Sequence, residues 1–217
     1  FLNLGQNSYG TGQEYLLLKN LGMKYLPDLT VLAFFPNDIM DNAGKNLKRP
    51  NFILDEGKLV KAKLPKPLTF PKKVRKFFNE YFALYSLIDY RLPLLRTLRT
   101  NPLAYDGFDR YLLRDYHERM QEPWEITKAL LLEIDKITNH RFLIMFIPNR
   151  MQVEEDNYQL ALEVTKVDEN SIDLFYTNNL VREFSEKYGI PFLDLTPRFR
   201  EENKKVRLYF TWDSHWT

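Results

Sequence analysis

Leu29-Thr-Val-Leu-Ala-Phe-Phe35, broken by Pro36-Asn37-Asp38, is the stretch on which the fold turns. A continuous apolar run of this length reads as a strand covered on both faces, the pattern of a parallel sheet. Phe142-Leu-Ile-Met-Phe-Ile147, ended by Pro148, repeats it, and residues 191–195 form a shorter version carrying Asp194. Helical patterns fall between these runs, at residues 12–24, 125–137 and 171–188, the last closed by Gly189 in the usual C′ position. Thr11 and Glu14 supply a Thr-x-x-Glu capping box ahead of Tyr15-Leu-Leu-Leu18. Residues 1–4 read as a short strand already under way, leading into the loop at residues 5–12. Alternating strands and helices predict an α/β fold with a mostly parallel sheet and helices on both faces.

Composition narrows the function. The 217 residues suit one domain with a sizeable core. A net charge of +2 gives no global attraction to nucleic acid or to a membrane. No cysteine is present, so disulfides, thiolate catalysis and cysteine-ligated zinc are excluded. No apolar run reaches the roughly 18–20 residues needed to span a bilayer. The chain opens on apolar Phe1 and stops at His215-Trp-Thr217 without a polar tail, so neither end reads as a natural terminus.

Residues 45–121 interrupt the strand–helix rhythm. A hairpin is expected at residues 51–61 around Asp55-Glu-Gly57, then a Pro/Lys-rich linker at 63–73 and an aromatic, basic helical stretch at 74–99. Residues 45–100 carry 14 Lys/Arg against 4 Asp/Glu. An insertion after a parallel strand lies over the carboxyl edge, where such sheets bind ligands. It therefore reads as a lid turning Phe77, Phe78, Tyr81, Phe82 and Tyr85 inward. A membrane-surface helix, with those aromatics beside Lys72, Lys73, Arg75 and Lys76, is the alternative.

The polar residues that could do chemistry sit after the predicted strands: Asn7 and Ser8, Asn37 and Asp38, and Asp213 and His215. Of the three histidines, His117 and His140 read as surface residues. His215 lies in an aromatic stretch with Asp213 two residues away, a spacing that lets a carboxylate hold an imidazole in one tautomer. An ordinary exposed Asp and His is the plain alternative. Asn37 can aim an amide at a developing oxyanion, or simply shape a turn. Asp38 reads as a cap for the turn at residues 39–42. Gly10-Thr-Gly12 is no dinucleotide loop, because Tyr15 stands where a third glycine is required.

Taken together, these pieces resemble the SGNH/GDSL hydrolases, a serine esterase and lipase superfamily with a flavodoxin-like three-layer fold. Residues 3–13 (Asn-Leu-Gly-Gln-Asn-Ser-Tyr-Gly-Thr-Gly-Gln) look like its second block, Phe34-Phe-Pro-Asn-Asp38 like its third, and Asp213-Ser-His-Trp216 like its last. The order agrees over nearly the whole chain. The Gly-Asp-Ser block is absent, and none of Ser8, Ser86, Ser171, Ser185 or Ser214 stands in that context. Ser8 falls where the family has a glycine and Phe35 where Gly-x-Asn-Asp begins. The resemblance implies a sandwich lacking its first strand and last helix, with an insertion at 45–121. It implies His215 as general base, Asp213 as its orienting partner, and the Ser8 backbone N–H and Asn37 side chain as the oxyanion hole. No metal or organic cofactor is implied. The implied substrate is an O-acyl ester, acetyl included, on a small molecule or a cell-envelope polysaccharide, with an extracytoplasmic setting. The rivals are a non-catalytic binding module on the same fold and a metal-dependent hydrolase using Asp38, Asp41, Asp213 and His215.

Overall fold

The computed structural model describes residues 1–6, 9–42, 52–61 and 109–210, together with Val74, Phe78 and Tyr81. Three parallel strands form the sheet, β1 (Thr30–Phe34), β4 (Phe142–Phe146) and β5 (Phe192–Asp194), in the order β1-β4-β5. Register pairs Phe34 with Phe146 and Phe146 with Asp194, so the three strands end together. Backbone bonds from Ile147 N–H to the Phe34 carbonyl and from Leu195 N–H to the Phe146 carbonyl extend that alignment past the strand ends. The loops at 35–38, 147–152 and 195–196 therefore share one carboxyl edge.

The sheet is apolar on both faces and buried on one. Leu32, Phe34, Phe142, Ile144 and Phe146 are all buried, with Phe34 stacked on Phe146 at 6.2 Å. On the opposite face Val31 and Leu193 are 47% and 45% exposed. The expectation that Leu29–Phe35 would be covered on both sides is thus corrected: β1 alternates, with Leu32 and Phe34 buried and Val31 and Ala33 exposed.

The helices are α1 (Thr11–Asn20), α2 (Asp38–Asp41), α3 (His117–Ile137), α4 (Glu155–Thr165), α5 (Tyr176–Tyr188) and α6 (Thr196–Asn203). Helix α3 begins eight residues before the predicted start and passes through Pro123, burying Met120, Thr127, Leu130, Leu131 and Ile134 at helical spacing. It packs against α1, α2 and the hairpin β2 (Phe52–Asp55)–β3 (Lys58–Lys61). That hairpin is where the sequence placed it. Glu56 and Gly57 both have positive φ, 47° and 76°, the geometry of a two-residue turn whose twist matches its strands. Phe52 carries the hairpin into the core and meets Tyr15 edge-on at 5.8 Å.

Local polar chemistry moves several expected boundaries. Helix α1 starts from Gly10, whose N–H donates to Gln13 Oε1 at 2.9 Å, so Gln13 and not Glu14 closes the first turn. Helix α5 starts at Tyr176 because Asp168 and Ser171 hold a separate 3-10 turn over Glu169–Ser171, through Asn170 N–H to Asp168 Oδ1 and Ser171 Oγ to the Asp168 carbonyl. Helices α4 and α6 went unread in the sequence. Residues 1–6 form no strand and Phe1 and Leu2 are exposed, since among the described residues no strand lies beside them to complete a ladder. The linker at 63–73 and most of the helical stretch at 74–99 lie outside the described residues. Of the five aromatics expected to turn inward there, Phe78 and Tyr81 are exposed.

Candidate functional site

Asn37 stands on the carboxyl edge immediately after β1. Its side chain is exposed, and Nδ2 donates to Asp41 Oδ2 at 3.2 Å, which engages one amide hydrogen and leaves the second to point elsewhere. Asp41 also packs against the loop that precedes α1: a Cβ added at Gly10 would lie 3.1 Å from Asp41 Cβ. An approach this close of the Asp41 side chain to Gly10 sets the Tyr9-Gly10 segment beside the Asn37 turn. Ser8 and its neighbour Asn7 lie outside the described residues, one and two positions before Tyr9.

Asp38 points inward. It is buried, and its Oδ2 accepts from the Phe35 N–H at 2.9 Å, so it secures the turn behind it and does not cap the one ahead. Burial, then the charge of Glu14, push its carboxyl well above the ordinary range. Glu14 on α1 responds in kind: burial raises it from 4.5 to about 7, and its Oε2 is enclosed without a hydrogen bond. Two carboxyls thus share a poorly hydrated seam between α1 and α2. Among the described residues no three potential ligands cluster to hold a metal ion; Asp213 and His215 of the metal-dependent rival lie outside them.

Ionising Glu14 costs more in the folded state than in the unfolded one, where its value is near 4.5. Stability is therefore full below that pH, falls as pH rises toward about 7, and stays low above it. Glu14→Gln is expected to lessen that slope, Asp38 keeping the share due to its own burial, with no gain near pH 4.5 and a gain of about 2–3 kcal/mol near pH 8 in urea unfolding.

Asn42 ties this seam to the core. Its Oδ1 accepts from Gly12 N–H at 3.0 Å, satisfying an otherwise unpaired amide of the first turn of α1. Its Nδ2 donates to Thr127 Oγ1 on α3 at 2.9 Å.

Beyond β4 the same edge holds a buried polar network. Asn149 donates to Asp109 Oδ2 at 2.5 Å and to the Tyr111 hydroxyl at 2.7 Å, and Tyr111 donates to the same carboxylate oxygen. Burial, then Asp109, raise the Tyr111 phenol well above its usual range, so it remains a donor. Gln152 accepts from Asn149 N–H and donates to Asn178 Oδ1, and Asn178 in turn donates to Asp194 and Thr196. The network links the ends of β4 and β5. One signal for it was present in the sequence: Asn149 follows a buried strand and a proline, as Asn37 does.

Tyr209 completes the edge. It is 2% exposed, lies across Phe199, and its hydroxyl donates to the Pro148 carbonyl just after β4 at 2.7 Å. Residue 209 is four positions before Asp213 and six before His215, both outside the described residues. Of the other histidines, His140 is on the surface as read, with Nδ1 2.7 Å from Asp135 Oδ2. His117 is not: it stacks on Tyr176 at 3.4 Å, and burial lowers its pKa.

No protein-family model matches the chain, and neither a curated protein nor a solved structure shows significant similarity to it.

Proposed function

We propose that the chain belongs to a serine-dependent ester hydrolase of the SGNH/GDSL type, built on a flavodoxin-like sheet, whose nucleophilic serine is not among these residues. The observation that carries this reading is the company on one sheet edge. Asn37 presents an amide there after β1, the Tyr9-Gly10 loop abuts Asp41 beside it, and Tyr209 is tied to Pro148 just past the end of β4, the strand paired with β1. Ligand sites of open parallel sheets lie on this edge.

In the proposed reaction the serine oxygen attacks an ester carbonyl while His215 takes its proton, and Asp213 stabilises the imidazolium. The Ser8 backbone N–H and Asn37 Nδ2 receive the charge that develops on the carbonyl oxygen. His215 returns the proton to the departing alkoxide, leaving an acyl-serine. Water, deprotonated by His215, then releases the acid and restores the hydroxyl. Asp41 is a positioning residue here, because it fixes the Asn37 amide. The substrate is an O-acyl group, acetyl in the simplest case, on a small molecule or a cell-envelope saccharide.

The test is hydrolysis of p-nitrophenyl acetate by a polypeptide that carries this chain and the serine block. Expected are turnover by that polypeptide, none by the chain alone, and a loss of about 10²–10³ in kcat on Asn37→Ala. Triad-dependent turnover by the chain alone contradicts the proposal. So does a serine block with no nucleophile, which leaves a binding module.

A further inference from the structure

Residues 109–117 are pinned to residues 172–176 by backbone, charge and ring contacts together. Leu113 and Ile172 form an isolated antiparallel bridge, and Asp173 N–H donates to the Leu112 carbonyl at 2.7 Å. Arg114 pairs with the Asp173 carboxylate at 3.5 Å. The ring contact joins the first residues of two helices: His117 of α3 lies flat on Tyr176 of α5, centroids 3.4 Å apart and planes 5° from parallel. The pinned segment also carries Asp109 and Tyr111, which reach Asn149 at the carboxyl edge.

The surroundings of His117 favour the neutral imidazole. Nε2 is enclosed and, among the described residues, has no hydrogen-bond partner. A neutral ring meets that by carrying its proton on Nδ1. A charged ring must place an N–H at Nε2 with nothing to accept it, which is worse than an idle lone pair. His117 also stands at the N-terminal, positive end of α3, and Arg114 adds a like charge. Asp173 and Asp115 pull the other way, as does the attraction of an imidazolium to the Tyr176 ring. Asp173 is already engaged by Arg114, and burial outweighs both carboxylates, so the imidazole titrates below its ordinary value.

We propose that His117 and Tyr176 form an acid-released clasp. With His117 neutral, the 109–116 segment is fastened to the 172–176 loop. Protonation of His117 unstacks the rings and frees that segment, loosening Asp109 and Tyr111 from Asn149. The clasp is at full strength above a pH of about 6.5, the value of a free imidazole, and weakens as pH falls below it. Glu14 does not mimic this behaviour, because its proton stabilises the fold and acidification there acts in the opposite direction. The proposal is independent of ester hydrolysis and needs no serine.

The chain as it stands is titrated from pH 8 to pH 5, following the His117 Cε1–Hε1 resonance and hydrogen exchange at the Asp173 amide. Expected is a His117 midpoint below about 6.5. Protection of the Asp173 amide, corrected for its intrinsic exchange rate, is expected to fall about threefold or more between pH of about 7 and about 5. His117→Phe keeps a ring on Tyr176 and cannot take a proton, so its Asp173 protection is expected to stay level over that range. Should the variant not fold, the parent decides alone: the Leu113 and Ile172 amide shifts must share the His117 midpoint. The proposal is overturned by a His117 midpoint at or above about 6.5, by parent protection or amide shifts that do not follow His117, or by an equal loss in His117→Phe.

Discussion

Replacing His215 with alanine, in a polypeptide that carries both this chain and the serine, is expected to lower kcat/KM for p-nitrophenyl acetate by about three to six orders of magnitude. The size follows from the double duty that the proposed mechanism gives the imidazole, taking the serine proton and later handing it to the leaving group. Asn37→Ala, by contrast, removes one of the two proposed oxyanion donors and is expected to cost about 3 kcal/mol of barrier. The ordering of these effects is itself diagnostic. A His215→Ala variant with near-parental turnover would remove the imidazole from the mechanism, whatever Asn37→Ala did. A residual rate that still depends on Asn37 is expected, because the oxyanion hole works without the base.

Phe146→Ala is expected to be the most damaging single change to stability, at about 3–5 kcal/mol measured by urea unfolding. Phe146 is fully buried on the central strand, stacked on Phe34 and edge-on to Phe192 at 6.4 Å. Removing it opens a cavity where all three strands meet. A domain typically holds about 5–15 kcal/mol in total, so the loss takes a large share. It also loosens the end of β4, which carries Pro148 and hence the Tyr209 tether. A loss below about 1 kcal/mol would mean that the sheet is not the packed centre of the molecule.

Much of this architecture was readable in the sequence, for identifiable reasons. The runs that became β1, β4 and β5 stood out because consecutive apolar residues ended at prolines or polar turns. The hairpin was legible in Asp55-Glu-Gly57, where Gly57 takes a positive φ at no steric cost. What the sequence hid was tertiary. An apolar run does not say which of its faces a helix will cover, so Val31 and Leu193 were expected inside and lie exposed. Short helices such as α6, rich in Arg and Glu, show too little apolar periodicity to be separated from loop. Helix α3 runs through Pro123 because packing of Met120, Leu130 and Ile134 outweighs the lost backbone bond.

The candidate site divides in the same way. Asn37 could be read as a functional amide from its place after a strand, and its exposed position suits that role. Asp38 was misjudged, because a Pro-Asn-Asp turn does not reveal whether the acid faces forward or back; the Phe35 amide captured it. The Glu14–Asp38 seam depends on α1 packing against α2, and no local pattern announces two carboxyls brought together from separate helices.

The proposed convergence of Asn37 and His215 on one edge is best tested by crosslinking, in a chain whose lack of native cysteine makes engineered pairs unambiguous. N37C/H215C, treated with a short bismaleimide, is predicted to close rapidly within one molecule. D28C/H215C, which starts from the other end of β1 about 17 Å away, is predicted to stay open. Closure of the Asp28 pair with the Asn37 pair left open would place His215 at the wrong end of the sheet and contradict the account.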